Sequence, residues 1–322
     1  MPPLVSVVVT TYNQAPYIAA ALGSVLSQTY RPCEVILVDD GSTDDTTAQV
    51  LPFRDRILYL KQPNRGVAAA RNAGIARATG EFIALLDGDD LWDPTKVALQ
   101  VSAALRYPTS GLVVANGVHF DGEAVLRDSL LSGPLVARLS ATEAVSVSCH
   151  RDFLHRNLVA TTSQVMVPRE VLQAVGPSDV RLPIASDWDL YLRIAARYDV
   201  TFLPQRLTRW RYVPSSASGP LDLRALRWAD DEISILRKHL RLAGPDLRPL
   251  VASLLEQKIR SSAETMYYSS RARRLPRGRR RLFKLLLKNP SSLTLARYLL
   301  GLLLPQAIVL QGARTVRRLR GL

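Results

Sequence analysis

Residues 4–13 read LVSVVVTTYN, residues 34–45 read EVILVDDGSTDD and residues 82–90 read FIALLDGDD. Each begins as a short apolar run rich in β-branched residues and stops abruptly in polar or acidic ones. That is the pattern of a strand buried on both faces that surfaces at its carboxyl end. Helical spacing lies between them. Pro16 opens a helix with Ile18, Leu22, Val25, Leu26 and Thr29 along one face. Ser42, with Asp45 three residues later, predicts a capping box for the next helix. A strand at Ile57–Lys61 and a helix at Val67–Ala78 continue the alternation, which predicts an α/β fold: a mostly parallel, Rossmann-like sheet flanked by helices.

Further along, the pattern predicts a helix from Pro94 to about Arg106, strands near Leu112–Asn116 and Thr162–Val167, and a helix starting at Pro168. Residues 121–158 read as an insertion with a helix near Ala141–His150. Ser186 is placed to cap a helix over Asp187–Ile194, and strands at Val200–Leu203 and Thr208–Val213 close the domain. The Ser/Pro/Gly-rich stretch at 214–220 marks a boundary, giving a domain at 1–220 and a helical C-terminal extension at 221–322.

In parallel sheets, ligands bind outside the carboxyl ends of the strands. Here those ends carry Thr10, Thr11, Tyr12 and Asn13, then Asp39 and Asp40, then Asp87, Gly88, Asp89 and Asp90. Five carboxylates gathered on one rim repel one another unless a cation or a hydrogen-bonding ligand sits among them.

The 322 residues are 47% hydrophobic and 22% charged, which excludes disordered and low-complexity classes. The net charge of +14 is local: residues 271–322 hold twelve Arg and two Lys and no acidic residue, so residues 1–270 sum to zero. Two cysteines, Cys33 and Cys149, without zinc-like spacing, point to a reducing compartment. The N-terminus lacks the basic and apolar regions of a signal peptide, so synthesis is expected to finish in the cytoplasm.

Taken together, VSVVVTTYNQAPYIAAALGSVLSQTY (5–30), EVILVDDGSTDDT (34–46), NRGVAAARNAGIARATGEFIALLDGDDLWDP (64–94) and SDWDLYLRIA (186–195) resemble the nucleotide-sugar glycosyltransferases of family 2, inverting enzymes with the GT-A fold. The resemblance covers roughly residues 4–215. It implies that Thr10 and Tyr12 contact the nucleotide, with the Tyr ring suited to stack on the base. It implies that Asp40 accepts a hydrogen bond from uracil, and that Arg71 lies near the nucleotide, where a guanidinium offsets phosphate charge. Asp87 and Asp89 stand where the family's DxD lies, Asp89 at the position that ligates Mg²⁺ or Mn²⁺; a hard ion of this kind takes oxygen ligands and bridges a diphosphate. Asp90 is left to support the loop or contact the sugar. Asp187 matches the family's catalytic base, which deprotonates the acceptor hydroxyl in a single displacement. Asp189 points elsewhere on the helix and reads as structural, and Trp188 reads equally as pocket lining or core.

The chain departs from the family in two places. Ser186 replaces the Glu that often precedes the base, and WRYVPSSAS at 210–218 lacks the His that relatives carry near Val213. Arg211, Ser216 and Ser218 are the candidates to take over that role.

Residues 221–270 read as helical, with Leu226, Ile233, Leu236 and Leu240 on one side and Leu250, Leu254 and Ile259 beyond Pro249. The following tail interleaves cations with Leu-rich blocks. Its longest apolar run, Tyr298–Leu310, contains 13 residues interrupted by Pro305, whereas a membrane span needs about 20. The tail therefore predicts amphipathic helices lying on an anionic membrane surface, at roughly 1 kcal/mol per cation, or else packing on protein. Nucleic acid is not an expected partner, because its binders interleave basic residues with aromatic and polar ones. The reading is a metal-assisted transferase (Mn²⁺ or Mg²⁺), peripheral on the inner face of the cell membrane. It moves a sugar, from UDP by the implication of Asp40, to a glycan or lipid-linked acceptor in cell-surface polysaccharide or glycoconjugate synthesis. The alternatives are a polyprenyl-phosphate glycosyltransferase, which the Asp187 motif disfavours, and a non-catalytic, membrane-attached nucleotide-sugar-binding protein. A sugar nucleotidylyltransferase would need a Gly-rich loop after the first strand, and none is present.

Overall fold

A computed structural model describes residues 1–131, 143–214, 221–271 and Tyr298. The chain divides into two compact units, Met1–Arg224 and Ala225–Leu322. The first opens with β1 (Val5–Thr11), α1 (Ile18–Leu26), β2 (Cys33–Asp39), α2 (Thr46–Val50), β3 (Leu58–Lys61), α3 (Val67–Arg77) and β4 (Phe82–Asp87). It continues through β5 (Leu91–Trp92), α4 (Lys96–Arg106), β6 (Ser110–Asp121), β7 (Ala124–Arg127), β8 (Val145–Val147), α5 (His150–His155), β9 (Val165–Pro168), α6 (Arg169–Val175), α7 (Ser186–Ala195) and β10 (Asp199–Arg211).

The ten strands form one sheet in the order β3-β2-β1-β4-β9-β6-β10-β5, with β7 added to β6 and β8 to β10. All seven residues of β1 are buried, as its unbroken apolar run requires. Val5, Val7 and Val9 join Leu37, Ala84 and Leu86 in a core with Ile18, Leu22 and Val25 of α1 and Val97 and Val101 of α4. Val8 faces the other way, against α3 at Gly74. Each buried Val, Leu or Ile stabilises the fold by about 1.5–3 kcal/mol.

Several elements differ from the sequence pattern. Ser42 caps nothing: α2 starts at Thr46, and its N-cap, Asp45, makes no side-chain capping bond. Residues 141–142 lie outside the described residues, but 143–149 hold β8 rather than a helix, because Val145 and Val147 pair with Phe202 and Val200 at the sheet edge. The helix there, α5, begins only at His150. The two closing strands are one, β10, whose register shifts between Leu203 and Arg206 and again before Thr208. Pro204 is tolerated inside this strand because it falls in the irregular stretch, where its carbonyl accepts from Asn116 Nδ2 at 3.1 Å.

The second unit contains most of α8 (Leu221–Leu242) together with α9 (Arg248–Arg271). Ile233, Ile235 and Leu236 of α8 and Val251, Ile259 and Ala263 of α9 are buried, and Lys258 bonds Glu232 at 2.9 Å. No helix among the described residues is long and apolar enough to cross a membrane. The amphipathic helices expected in the basic tail lie outside the described residues, as do Ser216 and Ser218.

Candidate active site

Strands β1, β2, β3 and β4 are mutually parallel. Strand β9 is antiparallel to both β4 and β6, so it restores the common direction, and β10 runs parallel to β6. The carboxyl ends of β1, β2, β4, β6 and β10 therefore share one rim. Thr10–Asn13, Asp39–Asp40, Asp87–Asp90 and Arg211 all lie along it.

The turn after β1 is locked to the loop after β2. Asn13 adopts φ 52°, a left-handed conformation that Asn tolerates. Its N–H donates to Ser42 Oγ at 2.9 Å, and its Oδ1 accepts from Thr43 N–H at 2.8 Å. This leaves Tyr12 standing 45% exposed beside the rim, an open ring face for a planar ligand. Asp40 is buried; Gln62 Nε2 (2.7 Å) and the N–H groups of Arg65 (3.0 Å) and Gly66 (2.8 Å) all donate to it. It thus fastens the 62–66 loop to the end of β2, where the Asp40 N–H in turn donates to Thr11 O at 2.9 Å, with one of a carboxylate's roughly four acceptor sites left over. Gly41 permits this closure. Its φ is +81°, and a Cβ there would lie 2.8 Å from Asn64 N.

The loop after β4 carries Asp87, Asp89 and Asp90 within four residues. Gly88 docks it onto β1: its N–H donates to Thr10 O at 2.8 Å, and a Cβ would come within 2.6 Å of Gln14 Oε1. Burial and the neighbouring Asp87 charge push the Asp89 carboxyl up to about 6. Burial, then the charges of Asp89 and Asp87, push Asp90 well above the usual carboxylate range. Asp90 accepts from Thr161 Oγ1 (3.0 Å), Ser163 Oγ (2.6 Å) and Arg211 N–H (2.9 Å), so it braces the loop from inside.

Arg71 is buried on α3, and its guanidinium donates to Asp87 Oδ1 at 2.8 Å. Thr10 Oγ1 reaches the same oxygen at 3.4 Å. The Arg71 Nε–H is buried and finds no acceptor among the described residues. Burial acts against the Arg71 cation, but Asp87, Asp187 and Tyr191 outweigh it and raise its pKa. Arg71 therefore lies within electrostatic reach of both the acidic loop and the start of α7. Asp187, half-buried in the first turn of α7, accepts from Trp188 N–H at 2.8 Å and from Asn157 Nδ2 at 3.4 Å. Burial raises its pKa, and Arg71 partly offsets the rise.

Ser186 does not cap α7. It lies inside the helix behind Ala185, and its buried hydroxyl has no partner. Asp189 is structural, ion-paired with Arg193 at 3.0 Å, and Trp188 belongs to the core, its Nε1 donating to Phe153 O at 2.7 Å. Arg211 sits at the acidic loop: its Nε donates to Asp89 O at 2.9 Å while the guanidinium lies over Tyr17 (4.9 Å) and Phe120 (4.6 Å). Sequence reasoning missed Ser163, Asn157 and Gln14. Only Ser163 had a signal, the T-x-x-Q capping box of Thr161–Gln164 just before an apolar strand.

A divalent ion fits this loop. The donors are hard oxygens, and a cation would offset both the burial and the Asp87 charge that raise the Asp89 carboxyl. Among the described residues no group of three or more His, Cys, Asp or Glu forms a closed metal cage. The fit is therefore to an ion held by one or two carboxylates and completed by ligand oxygens and water.

A mixed sheet whose parallel strands carry an acidic DxD loop on their carboxyl rim, with a helix-borne carboxylate beyond it, is the architecture of the glycosyltransferases of GT-A fold. A mannosyltransferase from Pyrobaculum calidifontis, solved with GDP-Man and Mn²⁺, superposes with TM-score 0.57 over 93% of this chain and 84% of its own, at 20% identity. Residues 6–159 match glycosyl transferase family 2, and the sequence comparisons support a glycosyltransferase of that family. An uncharacterized glycosyltransferase of Rickettsia prowazekii is 31% identical over 191 residues, 59% of this chain and 58% of that protein. The Escherichia coli UDP-Glc:alpha-D-GlcNAc-diphosphoundecaprenol beta-1,3-glucosyltransferase WfgD is 41% identical over 105 residues, 32% of this chain and 42% of its own. The chain thus spans less than two thirds of the length of either relative.

Proposed function

We propose that this protein is an inverting glycosyltransferase that moves a sugar from a nucleotide-sugar, of UDP type, to a hydroxyl of a glycan or lipid-linked acceptor. The observation that carries the reading is Arg71: one buried guanidinium bonded to Asp87 of the acidic loop and within electrostatic reach of Asp187. Tyr12 supplies a stacking face for the base, and Asp40 the remaining acceptor site for uracil. Thr10, Arg71 and Asp87 line the place of the diphosphate. Asp89 would hold Mn²⁺ or Mg²⁺, which supplies positive charge against the leaving diphosphate. Asp187 takes the proton of the acceptor hydroxyl as its oxygen attacks the anomeric carbon and the nucleoside diphosphate departs. Burial raises the pKa of Asp187, which strengthens it as a base, and Arg71 partly offsets the rise. The activity of the E. coli relative, with UDP-Glc and a diphosphoundecaprenol-linked sugar, supports a UDP donor and a lipid-linked acceptor.

In this reading residues 1–220 carry the chemistry. Residues 221–322 form an extension whose basic tail draws the protein to the anionic inner face of the cell membrane. The test is a screen of nucleotide-sugars for Mn²⁺-dependent hydrolysis and transfer, followed by Asp187→Asn with the active donor. Transfer should fall by about 10² or more while UDP affinity stays within about threefold. Wild-type transfer in Asp187→Asn would place the base elsewhere, and no Mn²⁺-dependent nucleotide binding at all would remove the reading.

A further inference from the structure

The turn Thr161–Gln164 contributes no side chain to the donor, metal or base roles above, yet it bonds directly to the acidic loop that carries the first two. We propose that Ser163 is a positioning residue that sets the acidic loop, and that the turn is the strut anchoring this loop in the core. The proposal rests on the glycosyltransferase reading.

Strand β9 pairs with β4 only along Phe82–Ala84. Toward the rim, β4 has β1 on one side and no strand on the other. Ser163 Oγ fills that gap, accepting the Asp87 N–H at 3.0 Å. The same hydroxyl donates to Asp90 Oδ2 at 2.6 Å, so one buried atom spans the first and last residues of the DGDD loop. A serine hydroxyl can donate once and accept twice, and this pair of bonds uses it in both senses. Thr161 Oγ1 donates to the same Asp90 oxygen at 3.0 Å.

The turn is itself anchored. Gln164 Oε1 accepts from Ala160 N–H (2.8 Å) and Thr161 N–H (3.1 Å), and Gln164 Nε2 donates to Ala115 O (2.8 Å). Gln100 Nε2 donates to Gln164 O at 2.9 Å, and Lys96 Nζ donates to Gln100 Oε1 at 2.7 Å. The Ser163 carbonyl accepts from Trp92 Nε1 at 2.8 Å. Gln164, Gln100 and Lys96 are each fully buried, so the strut is embedded in the interior rather than laid over it. A hydroxyl fixed this firmly dictates where Asp87 and Asp89 point. A polar group buried in such a network is costly to leave unpaired.

The test is Ser163→Ala, read two ways. Hydrogen exchange in metal-free protein should quicken at least about tenfold in peptides covering Asp87–Leu91 and stay unchanged across β2 and α3. Titration calorimetry should show Mn²⁺-dependent UDP binding weakened about tenfold or more. Should Ser163→Ala not fold, Ser163→Cys keeps the volume with a feeble hydrogen bond and is read in the same two ways. Ser163→Thr, which restores the hydroxyl, should return UDP affinity to within about threefold of wild type. Wild-type exchange and affinity in a folded Ala or Cys variant overturn the proposal alone, as does exchange raised evenly over the whole unit. A wild-type protein that binds no UDP with Mn²⁺ overturns the glycosyltransferase reading, and the proposal with it.

Discussion

The acidic loops after β2 and β4 flank β1 on the same rim, and they use their carboxylates in opposite ways. In the β2 loop every carboxylate named here is already supplied. Asp39 accepts from Ser42 N–H (2.7 Å) and Tyr59 Oη (2.8 Å), with Lys61 at 3.5 Å. Asp44 accepts from Thr46 and from Ala15 N–H, and Asp40 takes three donors. Burial acts to raise Asp39 and Asp44, but these bonds outweigh it and hold both below the usual carboxylate range. In the β4 loop burial and like charge win, and Asp89 and Asp90 are raised. The first loop is held by its own donors and keeps open only the one remaining acceptor site of Asp40. The second is short of positive charge, and this is what separates a loop offering a single hydrogen bond from a loop offering a cation site in two stretches of similar composition.

The sharpest way to break the contrast is to truncate one carboxylate in each loop. Asp89→Ala should lose Mn²⁺-dependent UDP affinity by about 100-fold or more, at unchanged or higher Tm, because it relieves repulsion. Asp40→Ala should do the reverse for stability, since it strands two backbone N–H groups and an amide. About 3 kcal/mol is expected, a Tm fall of roughly 6–12 °C. Calorimetric melts in which Asp40→Ala matches wild type would erase the distinction.

Acidity should separate the loops next. Asp89 holds its proton to about pH 6 in the fold, against an ordinary value of 3.8, so its protonation favours the folded state and its contribution to stability grows as pH falls from 6 toward 4. A cation needs the ionised form. Mn²⁺ affinity should be level above about pH 7 and fall toward tenfold per unit below pH 6, by calorimetry in non-chelating buffers. Asp39 runs the other way: its stabilisation is present above 3.8 and lost as pH falls through its lower folded value. The smallest effect is Tyr59→Phe, which removes one donor from Asp39. It should cost about 1–2 kcal/mol in chemical denaturation and leave UDP binding unchanged.

The first four strands were legible because each apolar run is complete in itself and ends where its polar residues begin. The order of the remaining strands was not. That β9 runs against both neighbours, and so returns β6 and β10 to the common direction, depends on pairings between distant segments, which periodicity does not encode. Within the site, Thr10, Tyr12, Asp40, Arg71, Asp87, Asp89 and Asp187 could be named from motif resemblance, yet their partners could not. Ser186 looked like a cap because Ser caps helices, but α7 begins at that residue and turns it inward. Lys96 opens α4. It lies fully buried, 3.8 Å from the Trp92 ring, and burial drives its pKa well down. A single sequence carries no mark that separates such a lysine from a surface one.

Because β1, β2, β4, β6 and β10 all open onto one rim, the opposite rim carries none of the site's side chains among the described residues. There the chain turns through exposed Pro108 and Thr109 between α4 and β6. A fluorophore, affinity handle or solid support grafted at that turn would grip the protein from behind, with its working edge still facing solution. The same asymmetry makes the rear turns the natural seams for splicing in new sequence, so the architecture can be lengthened or tethered without redrafting the chemistry in front.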